Sequence, residues 1–79
     1  MRMYQPLWLR LRKDRQIRVQ APKSRHRTLI LLIRREARRD TNYHRLLEQE
    51  GKKFFINSAS IGDSLILTLR VLNVNRSKS

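Results

Sequence analysis

Arg27, Arg34, Arg38 and Arg45 are separated by seven, four and seven residues, which puts all four within one narrow arc if the segment is helical. At 1.5 Å rise per residue an unbroken helix would stretch that row over about 27 Å. A guanidinium grips phosphate through two parallel hydrogen bonds and also stacks on bases, whereas an ammonium acts mainly as a point charge. A row of this kind meets several phosphates at once, and each one it neutralises releases condensed counterions. Arg35 and Arg39 widen the same face. Between residues 23 and 45 only Glu36 and Asp40 oppose the positive charge, while an ordinary solvated helix face interleaves the two signs. Arg27, Arg34, Arg35, Arg38, Arg39 and Arg45 are therefore the principal candidates for contact with a polyanion.

A second candidate surface comes from alternation. Leu7, Leu9, Leu11, Ile17, Val19 and Ala21 share one parity, and Trp8, Arg10, Arg12, Gln16, Arg18 and Gln20 share the other. In a four-stranded reading the outer face of a sheet displays Trp8, Arg10, Arg12, Gln16, Arg18 and Gln20 together with Phe55, Asn57 and Arg70. Aromatic rings set among guanidiniums suit stacking on unpaired bases. Arg10, Arg12, Arg18 and Phe55 are expected as this second contact set. The plainer reading puts Trp8 in the core and lays Arg70 over Phe55 as a cross-strand cation–π pair.

Other chemistry has little to stand on. There is no cysteine, and His26 and His44 are held far apart on one helix with no carboxylate cluster beside them, so neither a metal nor another cofactor is expected. Two glycines in the whole chain leave no phosphate-cradling loop. One enzymatic alternative remains: Tyr43, His44 and Arg45 are the residue types of small metal-independent ribonucleases of the toxin kind. Adjacent helical residues point about 100° apart, however, so these three do not converge unaided. No catalytic residue is assigned.

The elements that must position these residues follow from periodicity and punctuation. Over 6 to 21 the alternation predicts two strands. The competing reading has Pro6 open a short helix in which Leu7, Trp8 and Leu11 share a face. Pro22 ends the strand at 16 to 21, and Ser24 offers an N-cap oxygen to the helix that follows. Leu29, Ile30, Ile33 and Ala37 line its apolar side, which His26, His44 and Leu47 extend. Asp40, Thr41 and Asn42 suit a break in that helix, and Gly51 suits its stop. Gly62-Asp63 fits a type II′ turn. That turn pairs Ile61 with Ser64, Ser58 with Leu67, Ile56 with Leu69 and Phe54 with Val71.

These elements predict an α+β fold: a small antiparallel sheet of three or four strands with one long or broken helix on one face, in the order ββαββ, or αβαββ if residues 6 to 12 are helical. Residues 1–73 are expected to form a single domain and 74–79 a disordered basic tail. The expected core comprises Leu9 or Leu11 with Ile17, Val19, Leu29, Ile30, Ile33, Ala37, Leu47, Phe54, Ile56, Leu67, Leu69 and Val71.

Composition bounds the function. The chain has 79 residues, 19 Lys plus Arg against 6 Asp plus Glu, and a formal net charge of +13, with 14 of the 19 cations being Arg. A chain this short buries a thin core, and charge of one sign favours polyanion partners. The apolar run Leu29 to Ile33 falls far short of the ~20 residues that span a bilayer. No membrane association and a cytoplasmic location are expected. Taken together, the residues point to a small basic protein that binds DNA or RNA through phosphate with low sequence preference, as a monomer or homodimer, in the manner of a phage or plasmid accessory protein. A protein-binding adaptor or inhibitor docking on an acidic patch is the alternative from another class.

Overall fold

In the computed structural model, which describes residues 6–74, three helices cover one face of a three-stranded antiparallel sheet. The elements are α1 (Leu7–Asp14), β1 (Gln16–Gln20), a 3-10 turn (Lys23–Arg25), α2 (His26–Arg39), α3 (Thr41–Gln49), β2 (Lys52–Ile61) and β3 (Ser64–Asn73). The class is α+β. The order ββαββ is corrected: the chain opens with a helix, as in the alternative αβαββ, and the helical region is broken in two, which the residues at 40–42 suited. The residues set aside as a disordered tail lie, from 75 onward, outside the described ones, and so do residues 1–5.

Residues 7–14 are helical because of Trp8. Two-residue alternation and helical spacing both place Leu7 and Leu11 on one side, but a strand that buried them would leave the indole in water. The helix buries Trp8 and Leu11 together, and of its apolar residues only Leu9 is exposed. Pro6 sets the entry, and the Trp8 N–H, one of the first-turn amides that lack an intrahelical partner, donates to Glu36 Oε1 at 2.7 Å. Arg15 ends the helix in the left-handed region at φ 65°, and its N–H donates to the Leu11 carbonyl. There is accordingly no hairpin between 6–12 and 16–21. Trp8, Arg10 and Arg12 do not belong to the sheet.

The second half follows the turn chemistry. Gly62 has φ 58°, and Asp63 is not among the positive-φ residues, which excludes a type I′ turn and agrees with type II′. Ile61 pairs with Ser64, Ser58 with Leu67, Ile56 with Leu69 and Phe54 with Val71, as the turn position requires. β3 is the central strand, with β1 antiparallel beside Ser64–Thr68 and β2 along its full length. Leu65, Leu67 and Leu69 project to the helical side and join Trp8, Leu11, Ile17, Ile33 and Ala37 in the core, with Leu29, Ile30, Phe54, Ile56, Val19 and Val71 packed against it. Leu65 was absent from the expected core, while Trp8 is buried there, as the plainer reading of that residue had it. Leu47 is buried, as expected.

The start of α2 departs from expectation. Ser24 lies within the 3-10 turn, and no side chain caps α2. His26 ties this end down instead. It is buried, its Nε2 donates to the Ala21 carbonyl at 2.9 Å, and its Nδ1 accepts from the Ser60 hydroxyl at 2.6 Å, so one imidazole joins the loop before α2 to β2. The elbow between α2 and α3 belongs to Asp40. With φ −86° and ψ 75° it leaves the helical region, and its carboxylate accepts from the Tyr43 N–H at 3.0 Å as the N-cap of α3. The same group accepts from the Trp8 indole at 2.8 Å and from Arg12 at 2.6 Å. Gly51, at φ 66°, closes α3 and turns the chain into β2.

Candidate nucleic-acid interface

The elbow determines where the arginines go. Because α2 and α3 bend at Asp40, the His44 ring reaches back to donate from Nε2 to the Ala37 carbonyl at 3.0 Å, a second bond to an acceptor that also takes the Asp40 N–H at 3.1 Å. The other side of that ring rests on Phe54, 5.2 Å between centroids, and Leu47 is buried beneath α3. α3 is thus pinned over β2, an edge strand of the sheet.

Two grooves follow this edge. One, of about 450 Å³, is lined by Arg34, Ala37, Arg38, His44, Phe54, Phe55, Ile56 and Asn57. The other, of about 490 Å³, is lined by Thr41, His44, Arg45, Leu47, Glu48, Lys52, Lys53 and Phe54. They share His44 and Phe54 and so adjoin each other as a two-part trough. Five cations stand along it, Arg34, Arg38, Arg45, Lys52 and Lys53, against the single carboxylate Glu48. Lys52 is 3.3 Å from Glu50. Arg34, Arg38, Arg45 and Lys53 form no ion pair among the described residues. The lining combines apolar residues with guanidiniums, and the imidazole and the Asn57 side-chain amide add hydrogen-bonding groups.

The other candidates go elsewhere. Arg27 is exposed in the first turn of α2, about two turns from Arg34, and lines neither groove. Arg35 and Arg39 are exposed on α2 outside the trough, and Arg39 borders a smaller hollow with Pro6, Trp8, Leu9, Glu36 and Asp40. Arg10 is exposed on α1. Arg12 is committed to structure: it is paired with Asp40 and stands over the Tyr43 ring at 5.2 Å. Arg18 is exposed on β1 and points away from the helices. Tyr43 packs by its ring against Trp8 and Phe54, so its side chain faces the core cluster while that of His44 borders the trough.

Lys52, Lys53, His44 and Asn57 were not among the expected contacts. Lys52-Lys53 is visible in the sequence as a basic pair after Gly51, but nothing local says that it continues the arginine row. That continuity is created by α3 packing on β2. Among the described residues no helix is long and apolar enough to cross a membrane. No family model, no curated protein and no solved structure matches this chain.

Proposed function

We propose that the protein binds nucleic acid through its phosphates, with Arg34, Arg38 and Arg45 as the principal contacts and Lys52 and Lys53 extending them along the trough. One observation carries this reading: Arg34 and Arg38 of α2 line one groove and Arg45 of α3 lines the groove adjoining it, and no carboxylate pairs with them among the described residues. Setting three like charges along two adjoining grooves disfavours the fold unless a polyanion offsets them. Arg35, Arg39 and Arg27 add to the field around the groove rather than to the grip. Recognition of this kind reads charge and spacing and discriminates weakly between sequences.

Titration of the protein with labelled DNA and RNA at two salt concentrations tests the proposal. Binding should weaken steeply with salt, the slope on a logarithmic plot growing by about 0.7 to 0.9 for each phosphate neutralised. Absence of binding at the lower salt removes the proposal and leaves an acidic protein surface as the partner of the same arginines.

A further inference from the structure

The face of the sheet turned away from the helices is uncovered, and the register fixes what stands on it. Across the strands in the order β1, β3, β2 run the rows Gln16, Thr68, Asn57; Arg18, Ile66, Ala59; and Gln20, Ser64, Ile61. Beyond the end of β1 the rows continue as Arg70 beside Phe55 and Leu72 beside Lys53. Arg18, Lys53 and Arg70 give this face three cations, and none of its positions is a carboxylate. Phe55 is 46% exposed. It also borders the trough that holds Arg34 and Arg38, so one ring stands where the cationic groove rolls over the sheet edge onto the open face.

A double helix can use only part of this. Its bases are stacked on one another, so it could bring phosphates to the arginines while leaving the Phe55 ring in water. A single strand has unpaired bases to offer, and stacking one on an aromatic side chain contributes about 1 to 3 kcal/mol. Successive outward residues of a strand lie about 7 Å apart. Asn57, two residues along β2 from Phe55, is therefore placed to hydrogen-bond the edge of a base or its neighbour, and Arg70 stands across from the ring to meet the backbone.

Resting on the phosphate reading above, we infer that the ligand is single-stranded nucleic acid, with phosphates on Arg34 and Arg38, an unpaired base stacked on Phe55 and the strand continuing over the open face toward Arg70. Charge complementarity selects this occupant over an apolar partner, since three cations without a carboxylate would be left unpaired under an apolar cover.

The test is fluorescence anisotropy of the full chain with labelled oligo(U), oligo(dT) and a DNA duplex of equal length. Both single strands should bind about tenfold tighter than the duplex, and Phe55→Ala should remove about that factor from single strands while leaving duplex affinity unchanged. Phe55→Trp should retain the preference. Phe55→Leu, which keeps the apolar bulk without the π face, should lose it, provided circular dichroism shows both variants folded. A difference between oligo(U) and oligo(dT) identifies the sugar that is preferred. Equal affinity for duplex and single strands, or a Phe55→Leu variant that behaves as wild type, overturns this inference and leaves the phosphate contacts standing. No binding of any of the three overturns both.

Discussion

Replacing Arg34, Arg38 and Arg45 together by Gln should lower affinity for nucleic acid by about a hundredfold at moderate salt, at roughly 1 kcal/mol per exposed charge contact. The salt slope should fall with it, by about 2 if the ligand is single-stranded and closer to 3 if it is a duplex, because three phosphates are no longer neutralised. Melting temperature should hold or rise. All three side chains are exposed and form no ion pair among the described residues, so their removal relieves repulsion without opening a cavity. The matched control is Arg10→Gln with Arg35→Gln and Arg39→Gln, which removes the same charge from outside the trough. The control should weaken binding far less. Equal losses in the two triple variants would mean that net charge, and not the groove, holds the ligand.

The largest effect on stability should come from Asp40→Ala, at about 3 kcal/mol. The substitution removes the N-cap of α3, worth about 1 kcal/mol, and leaves the Trp8 indole N–H, which belongs to a residue 2% exposed, without its acceptor, costing about 1 to 3 kcal/mol more. The Arg12 pair adds little, since that guanidinium is about a third exposed. A domain of this length holds roughly 4 to 12 kcal/mol in all, so a drop in melting temperature of roughly 10 to 20 °C is expected. Calorimetry or thermal circular dichroism reads it directly. A fall of only a degree or two would show that the elbow does not depend on this carboxylate.

Asp40 also carries a pH signature. Burial disfavours its charge, but the hydrogen bonds from the Trp8 indole and the Tyr43 N–H, with the Arg12 and His44 charges nearby, outweigh burial and hold its pKa below the ordinary 3.8. A carboxylate whose folded-state pKa is depressed contributes stability that is present above the unfolded value and is lost as pH falls through the folded one. Wild type should therefore lose stability on acidification below about pH 5. Asp40→Asn should start less stable and show a flatter acid limb.

How much of this was legible in the sequence differs from segment to segment. The β2–β3 hairpin was readable because a Gly-Asp turn fixes register outward from one point, and every pair then follows. The inward side of α2 was readable because Leu29, Ile30, Ile33 and Ala37 repeat with the helical period. Residues 7–14 were not, because Leu7, Leu9 and Leu11 satisfy a strand as well as a helix. The deciding contact is the burial of Trp8 against Phe54 and Tyr43, which come from distant segments. Arg12 illustrates the same limit: in the sequence it resembles any other guanidinium, and only its contact with Asp40, 28 residues away, removes it from the candidate surface. Arg34 and Arg38 kept the spacing that first singled them out. Arg45 belonged to the same row, and the break at Asp40 was readable from Asp40, Thr41 and Asn42; Lys52 and Lys53 joined through the packing of α3 on β2, which no local pattern specifies.

Chemical-shift mapping on the isotope-labelled protein, titrated with an unlabelled oligonucleotide, bears most directly on the claim that the trough is where nucleic acid is held. The largest perturbations should fall on Arg34, Arg38, His44, Arg45, Lys53, Phe55 and Asn57, with Arg10, Arg35 and Arg39 little moved. Perturbations centred on α1 and the Arg35–Arg39 side of α2, or spread evenly over every exposed arginine, would contradict it.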